Sequence, residues 1–208
     1  DILRGNYGFD KLEGGIGDDR LGNSSKSSKD YLGNAGDFDP TNNFGQHYIG
    51  GTGNDKLYGT RYGDIYEFNL NDGNDNIFEY SEVSTEFENA KDILIINDVN
   101  FEDVIISRDA FDILISIKDS NDIITIEDAL KSFEYQIEIF KFKDQELNWD
   151  TIRDIALVLI GTTERDTLTG LNNYNNTIYG KEERDSIYGG NLSDTLYGQD
   201  GDDRIYGY

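Results

Sequence analysis

A nine-residue period governs both ends of the chain. Gly14-Gly15-Ile16-Gly17-Asp18-Asp19-Arg20-Leu21 and Gly50-Gly51-Thr52-Gly53-Asn54-Asp55-Lys56-Leu57 share the pattern Gly-Gly-x-Gly-x-Asp-x-U, where U is a large apolar residue. Numbering the period from one to nine puts Asp at position six and U at position eight. Asp10, Asp19, Asp55, Asp64, Asp75, Asp166, Asp185, Asp194 and Asp203 all fall in that phase. Each is followed two residues later by Leu12, Leu21, Leu57, Tyr66, Ile77, Leu168, Ile187, Leu196 or Ile205. One further copy, after a one-residue slip, carries Asn176 ahead of Ile178. No single copy can bury its own apolar residue, so such a chain folds by stacking copies.

Each position has a physical role. The glycines at positions two and four, such as Gly15, Gly17, Gly51 and Gly53, permit φ > 0 and let carbonyls turn toward an ion. Asp supplies the hard anionic oxygen that Ca²⁺ prefers. The triplet x-U-x makes a minimal strand with one inward side chain. A solvated acidic loop has the same Gly, Asn and Asp content. The apolar residue held in phase separates a stacked solenoid from such a loop.

These copies resemble the calcium-binding nonapeptide repeat of the RTX (repeats-in-toxin) family, exported by Gram-negative type I secretion. The resemblance implies an all-β fold: two calcium-binding parallel β-roll (solenoid) blocks joined by a β-rich spacer. It implies that two repeats make one coil, so that residues eighteen apart stack. Each Ca²⁺ then lies between stacked turns. One turn gives the carbonyls of positions two and four with its Asp, and the other those of positions one and three with its Asp. Carried over, Asp185 and Asp203 form the best-spaced pair, joined by the carbonyls of Lys181, Glu183, Gly198 and Asp200. Gly180 and Gly189 open the neighbouring copies. Asp166 with Asp185 is one residue out of step, and Asp55 with Asp75 is two out. Asp19 has no clean partner, because Asp37 is followed by Asp39 where the core residue belongs.

Charge narrows the partners. The net charge is −24, with 42 acidic against 18 basic residues. Phosphate binding needs basic footing, so nucleic acid is excluded, and anionic lipid is disfavoured for the same reason. Clustered Asp instead call for a divalent counter-ion. The absence of Cys removes disulfides and zinc–thiolate sites and suits an exported protein. No run of about 18 apolar residues is present to span a bilayer as a helix. No N-terminal signal peptide is visible; the family uses an uncleaved C-terminal signal. The chain starts without Met and stops in mid-repeat at Gly207-Tyr208, and so reads as a piece of a longer polypeptide.

The texture divides the chain into three. Residues 1–80 read as the first roll block, with an irregular excursion at about 23–48 that includes the Ser/Lys loop 24–29. Residues 159–208 read as the second block. Between them, residues 81–158 hold short β-branched runs at 92–96, 104–107, 113–117 and 123–126, expected as successive strands. A longer strand is expected over 135–142, with a bulge where the inward phase shifts from Ile137 and Ile139 to Phe140 and Phe142. A brief helix is expected at about 150–157, with Asp150 as its N-cap. Residues 92–152 resemble the haemolysin-type calcium-binding-related domain, through Phe101-Glu102-Asp103-Val104, Tyr135-Gln136-Ile137-Glu138, Phe140, Phe142, Asp144 and Trp149. In that family the segment is a structural spacer or cap.

Catalytic machinery is lacking. His47 is the only histidine, too few for a triad or a histidine-rich metal site, and reads as a surface residue. Asp39-Pro40, which holds the only proline, reads as a loop turn. Tyr58, Tyr179, Tyr188, Tyr197 and Tyr206 fall at position nine. Tyr179 with Tyr197, and Tyr188 with Tyr206, are spaced to stack as ladders that stiffen the roll.

The chain therefore reads as a non-enzymatic calcium-binding module that takes several Ca²⁺ ions. Each copy buries one large apolar side chain, about 1.5–3 kcal/mol, against ordering nine residues at about 1–2 kcal/mol each. Without Ca²⁺ it should stay largely disordered, pass the type I export machinery, and fold outside the cell or at the bacterial surface. The alternatives are a surface adhesin that binds a host receptor or glycan, and the C-terminal roll of a secreted protease or lipase.

Overall fold

A computed structural model of the chain describes residues 1–5, 9–22, 44–80 and 91–208. The chain forms two compact units, Asp1–Thr151 and Ile152–Tyr208. The fold is all-β and its stacked strands are parallel, as a roll of short repeats requires.

Along the first unit run β1 (Ile2–Leu3), β2 (Lys11–Ile16), β3 (Arg20–Gly22), β4 (Phe44–Thr52), β5 (Lys56–Tyr58), β6 (Gly63–Phe68), β7 (Asn74–Phe78) and β8 (Ile93–Ile96). Successive copies alternate between two sheets. β1, β3, β5 and β7 pair in parallel in one sheet. β2, β4, β6 and β8 pair in parallel in the other. The alternation is what a period of nine produces when two copies complete a coil.

Position eight builds the core. In one sheet Leu12, Tyr48, Tyr66 and Leu94 are register neighbours. In the other Leu21, Leu57 and Ile77 are. All seven are buried. Tyr48 and Tyr66 stack face to face at 5.2 Å, and the Tyr48 hydroxyl donates to the Tyr58 carbonyl at 2.7 Å. A large side chain is tolerated here because its one polar atom finds a partner.

The middle segment supplies β9 (Val104–Asp109), β10 (Asp112–Ile117), β11 (Ile123–Ile126), β12 (Ile139–Lys141) and β13 (Glu146–Asn148). β11 continues one sheet parallel to β7, and then β10 and β9 follow antiparallel. β12 continues the other sheet parallel to β8, and antiparallel β13 closes it. Ile113, Ile115, Ile117, Ile124, Ile126 and Phe140 are buried. The segment that differs in texture is thus hydrogen-bonded into both sheets and ends each with an antiparallel strand.

The expected long strand over 135–142 does not form. A 3₁₀ turn at Phe133–Tyr135 precedes the three-residue β12, and the Ser132 side chain caps it by accepting the Glu134 N–H. Inward side chains fall at Ile137, Phe140 and Phe142, a spacing that no single strand can satisfy. β4 begins at Phe44, inside the stretch expected to be irregular, and His47 lies on it. His47 Nε2 lies 2.9 Å from Glu67 Oε2, so it is not a loose surface residue. The rest of the excursion, including Asn23, the 24–29 loop, Asp37 and Asp39-Pro40, lies outside the described residues.

Helix α1 spans Trp149–Ala156. Asn148, not Asp150, caps it: Asn148 Oδ1 accepts the Thr151 N–H at 3.0 Å and the Thr151 hydroxyl at 2.8 Å. A cap must sit one residue before the first helical turn, and that turn starts at Trp149.

The second unit carries β14 (Val158–Ile160), β15 (Thr167–Thr169), β16 (Thr177–Lys181), β17 (Ser186–Tyr188), β18 (Thr195–Gln199) and β19 (Arg204–Tyr206). They form two parallel three-stranded sheets, β14-β16-β18 and β15-β17-β19. Ile178 and Ile187, the central residues of the two sheets, are fully buried. Tyr179 stacks on Tyr197, and Tyr188 on Tyr206, each at 4.9 Å between ring centres. Tyr58 instead stacks on Phe78 at 4.7 Å.

Candidate metal centres

The position-six residue stands just before its strand or in the strand's first residues, where its N–H faces the next coil. There a carboxylate oxygen accepts it. The Asp19 N–H donates to Asp55 Oδ1 at 2.6 Å, and the Asp55 N–H to Asp75 Oδ1 at 2.9 Å. In the second unit, Asp166 donates to Asp185 Oδ1 at 2.8 Å and Asp185 to Asp203 Oδ1 at 2.9 Å. Spacings of 19 and 20 residues therefore join the ladder as well as spacings of 18. Asp19, which has no clean partner by spacing, pairs with Asp55, 36 residues on. The ladder uses one oxygen of each carboxylate.

The second oxygen is the more telling one. Oδ2 of Asp10, Asp19, Asp55, Asp185 and Asp194 is buried with no hydrogen-bond partner. An unpaired buried carboxylate oxygen costs several kcal/mol unless a cation meets it. Beside each lies the glycine that opens the same copy: Gly5, Gly14, Gly50, Gly180 and Gly189, respectively. A β-carbon on Gly180 would meet Asp185 Oδ2 at 2.5 Å and the Gly198 carbonyl oxygen at 2.6 Å. The missing side chain therefore leaves a space on which a carboxylate and a carbonyl from two stacked coils converge. Gly14 stands in the same way between Asp19 Oδ2 and the Gly50 carbonyl.

Positions two and four adopt left-handed backbone in several copies, in places without glycine. Gly15 and Gly17 have φ of 100°, Gly51 89° and Gly53 153°. Lys181 has φ of 82° and Glu183 of 64°. A β-carbon on Gly201 would meet the Glu183 carbonyl, with Asp203 Oδ1 at 3.3 Å. The Lys181 carbonyl accepts the Asp200 N–H at 2.7 Å and keeps its second lone pair. Asp200 lines an open cleft with Glu182, Glu183, Arg184, Gly201 and Asp202. Of the ligands expected for the best-spaced site, Asp185 with Gly198 and Glu183 with Asp203 are drawn together.

Two repeat aspartates are closed differently. Asp64 Oδ2 accepts the Thr60 N–H at 2.5 Å, and Asp166 Oδ2 accepts the Thr162 N–H at 2.6 Å and its hydroxyl at 3.0 Å. Thr at position two thus satisfies the oxygen that other copies leave unpaired.

A second acidic site joins Glu79, outside the repeat register, to two carboxylates within it. Asp64, Glu79 and Asp92 are all buried, and one oxygen from each lies within 4.8 Å of the others. The Tyr66 hydroxyl donates to Glu79 Oε2, and the Tyr80 N–H to Oε1 at 2.6 Å. Burial raises Asp64 to about 7. Burial, with Asp92 and Asp64 nearby, holds Glu79 well above the usual carboxylate range. Burial also lifts Asp55 to about 6 and Asp75 to about 7. Asp92-Ile93-Leu94 has the repeat's own Asp-x-U pattern and was legible in principle. Glu79 carries no such signal.

The donors are oxygens throughout, several are orphaned, and glycine holds the space beside them. This set fits Ca²⁺, which takes six to eight oxygens in flexible geometry. The profile of the RTX calcium-binding nonapeptide repeat matches four copies, at residues 1–22, 42–65, 171–191 and 179–208. The chain thus carries RTX calcium-binding repeats. The profile of the haemolysin-type calcium binding protein related domain matches residues 112–145. No curated protein matches the chain. The RTX match over 42–65 includes a copy that spacing alone overlooks, with Gln46 at position six and Tyr48 at position eight. Gln46 Oε1 accepts the Asp10 N–H at 3.2 Å, so a neutral amide fills the place of an RTX aspartate in the ladder.

Proposed function

We propose that this calcium-binding RTX module is exported unfolded and folds as Ca²⁺ enters the orphaned aspartate sites outside the cell. The observation that carries the reading is the set of five buried Oδ2 atoms without partners, each beside a repeat glycine. The proposed ligands are Asp10, Asp19, Asp55, Asp75, Asp185, Asp194 and Asp203, with carbonyls that include Glu183 and Gly198. A stack of like charges resists closing until a cation joins successive coils. Bound Ca²⁺ supplies that charge, and its binding energy becomes folding energy. Extracellular calcium modules bind at about 10⁻⁴–10⁻³ M, so a chain of this type stays open in a low-calcium cytosol and closes outside. The chain's own part is to align the carboxylates through the Oδ1 ladder and to keep side chains out of the gaps.

Type I export, an extracellular or cell-surface location and a toxin-like parent protein belong to the same proposal. Small-angle scattering tests its core. The radius of gyration should approach that of an unfolded chain in chelator and contract on adding millimolar Ca²⁺. An unchanged radius would refute calcium-driven folding.

A further inference from the structure

Asn176 breaks the aspartate pattern, and its surroundings show what takes the place of the ion. It is 1% exposed. Its backbone N–H joins the ladder, donating to Asp194 Oδ1 at 2.7 Å. Its side-chain Oδ1 accepts the Leu171 N–H at 2.9 Å. Its side-chain Nδ2 lies 3.0 Å from the Leu171 carbonyl, 2.9 Å from the Tyr174 carbonyl, 3.0 Å from the Gly189 carbonyl and 2.8 Å from Asp194 Oδ1.

Three carbonyls and a carboxylate, drawn from two stacked coils, thus converge on one nitrogen. That is the kind of oxygen cage that an orphaned aspartate offers to Ca²⁺, here occupied by an N–H donor. The amide orientation follows from its neighbours. The reverse orientation would set the amide oxygen against these four oxygens and the nitrogen against the Leu171 N–H, whereas this one gives Leu171 an acceptor and lets the two amide protons be shared among the oxygens. The contrast with Asp185 is direct, because Asp185 Oδ2 has no partner. Replacing Asp by Asn removes one negative charge and puts protons where a cation would sit.

We propose that Asn176 is a built-in substitute for calcium, whose side-chain amide closes its coil onto Gly189 and Asp194 without an ion. The inference rests on the calcium reading of the other coils. It assigns the second unit a coil whose closure at Asn176 does not depend on Ca²⁺, next to Asp185 and Asp194, whose Oδ2 atoms are left for the ion. Asp194 then serves the amide through Oδ1, while its Oδ2 remains unpaired beside Gly189.

The test compares the full chain with its Asn176→Asp variant. At saturating Ca²⁺, equilibrium dialysis should find one more ion on Asn176→Asp than on the wild type. An equal ion count on a folded variant would overturn the inference. A second measurement needs no variant. In the calcium-loaded wild type, NMR should show the Asn176 side-chain amide protons exchanging about tenfold more slowly than those of exposed Asn172 and Asn173, the scale of one net hydrogen bond. Equal exchange rates would mean that the amide is displaced, and would overturn the inference even if the variant failed to fold. A wild type that binds no Ca²⁺ at all would instead defeat the calcium reading itself.

Discussion

The backbone N–H of Asp185 donates to Oδ1 of Asp203 at 2.9 Å, while Oδ2 of Asp185 stays buried without a partner. The ladder thereby aims one oxygen of a carboxylate such as Asp55 or Asp185 along the stack and presents the other to a gap. Removing Asp203 takes away both a ladder acceptor and a candidate ligand. Asp203→Ala should therefore lose about 1.5–3 kcal/mol, the range for a charge-assisted hydrogen bond, and raise the Ca²⁺ midpoint for folding of the second unit. Glu146→Ala, at an exposed carboxylate on β13, should leave that midpoint in place. Circular dichroism titrations of the two variants check this, and equal midpoints would contradict the ligand assignment.

Lys181 offers a substitution of opposite sign. Its φ of 82° places a side chain where Gly15, Gly51 and Gly190 stand in other copies. Left-handed backbone costs an L-residue about 1–2 kcal/mol, and glycine gives back about 0.5–1 kcal/mol through unfolded-state entropy. Lys181→Gly should therefore fold at lower Ca²⁺, helped by the loss of a positive charge near the site. A raised midpoint would show that the lysine side chain contributes more than the strain it carries.

Protons should partly stand in for the ion in the first unit. Burial lifts Asp55 to about 6, and Asp64 and Asp75 to about 7. The folded state thus holds protons that the unfolded chain, with ordinary Asp values, has released. Stability from these groups is fully present below the unfolded values and is lost as pH rises through the folded ones. In chelator, the first unit should show more β structure by circular dichroism at about pH 5 than at about pH 8, and added Ca²⁺ should narrow the difference. More β structure at the higher pH would contradict the burial of these carboxylates.

The parts of the fold legible in the sequence are those set by period. Leu21, Leu57 and Ile77 in one sheet, and Ile178 and Ile187 in the second unit, sit inward because a fixed phase admits one inward side chain per copy. Parts that depend on contacts far apart in sequence were harder to read. The Asp19–Asp55 pair spans a stretch without a clear repeat, so spacing could not find it. Gln46 and Glu138 take ladder places without being Asp: Glu138 Oε2 accepts the Asp92 N–H at 2.7 Å, as a repeat aspartate would. Glu79 reaches Asp64 and Asp92 only through the stacking of coils. The Asn176 cage likewise depends on a neighbouring coil, because Gly189 and Asp194 supply half of its oxygens.

Far-UV circular dichroism with chelator, Mg²⁺ or Ca²⁺ tests calcium-driven folding most directly. The orphaned oxygens should leave the chelated chain largely coil, and Ca²⁺ should raise β content cooperatively. Mg²⁺ should not substitute, because it demands tight octahedral geometry and dehydrates reluctantly. Identical spectra in chelator and in saturating Ca²⁺ would contradict the central claim.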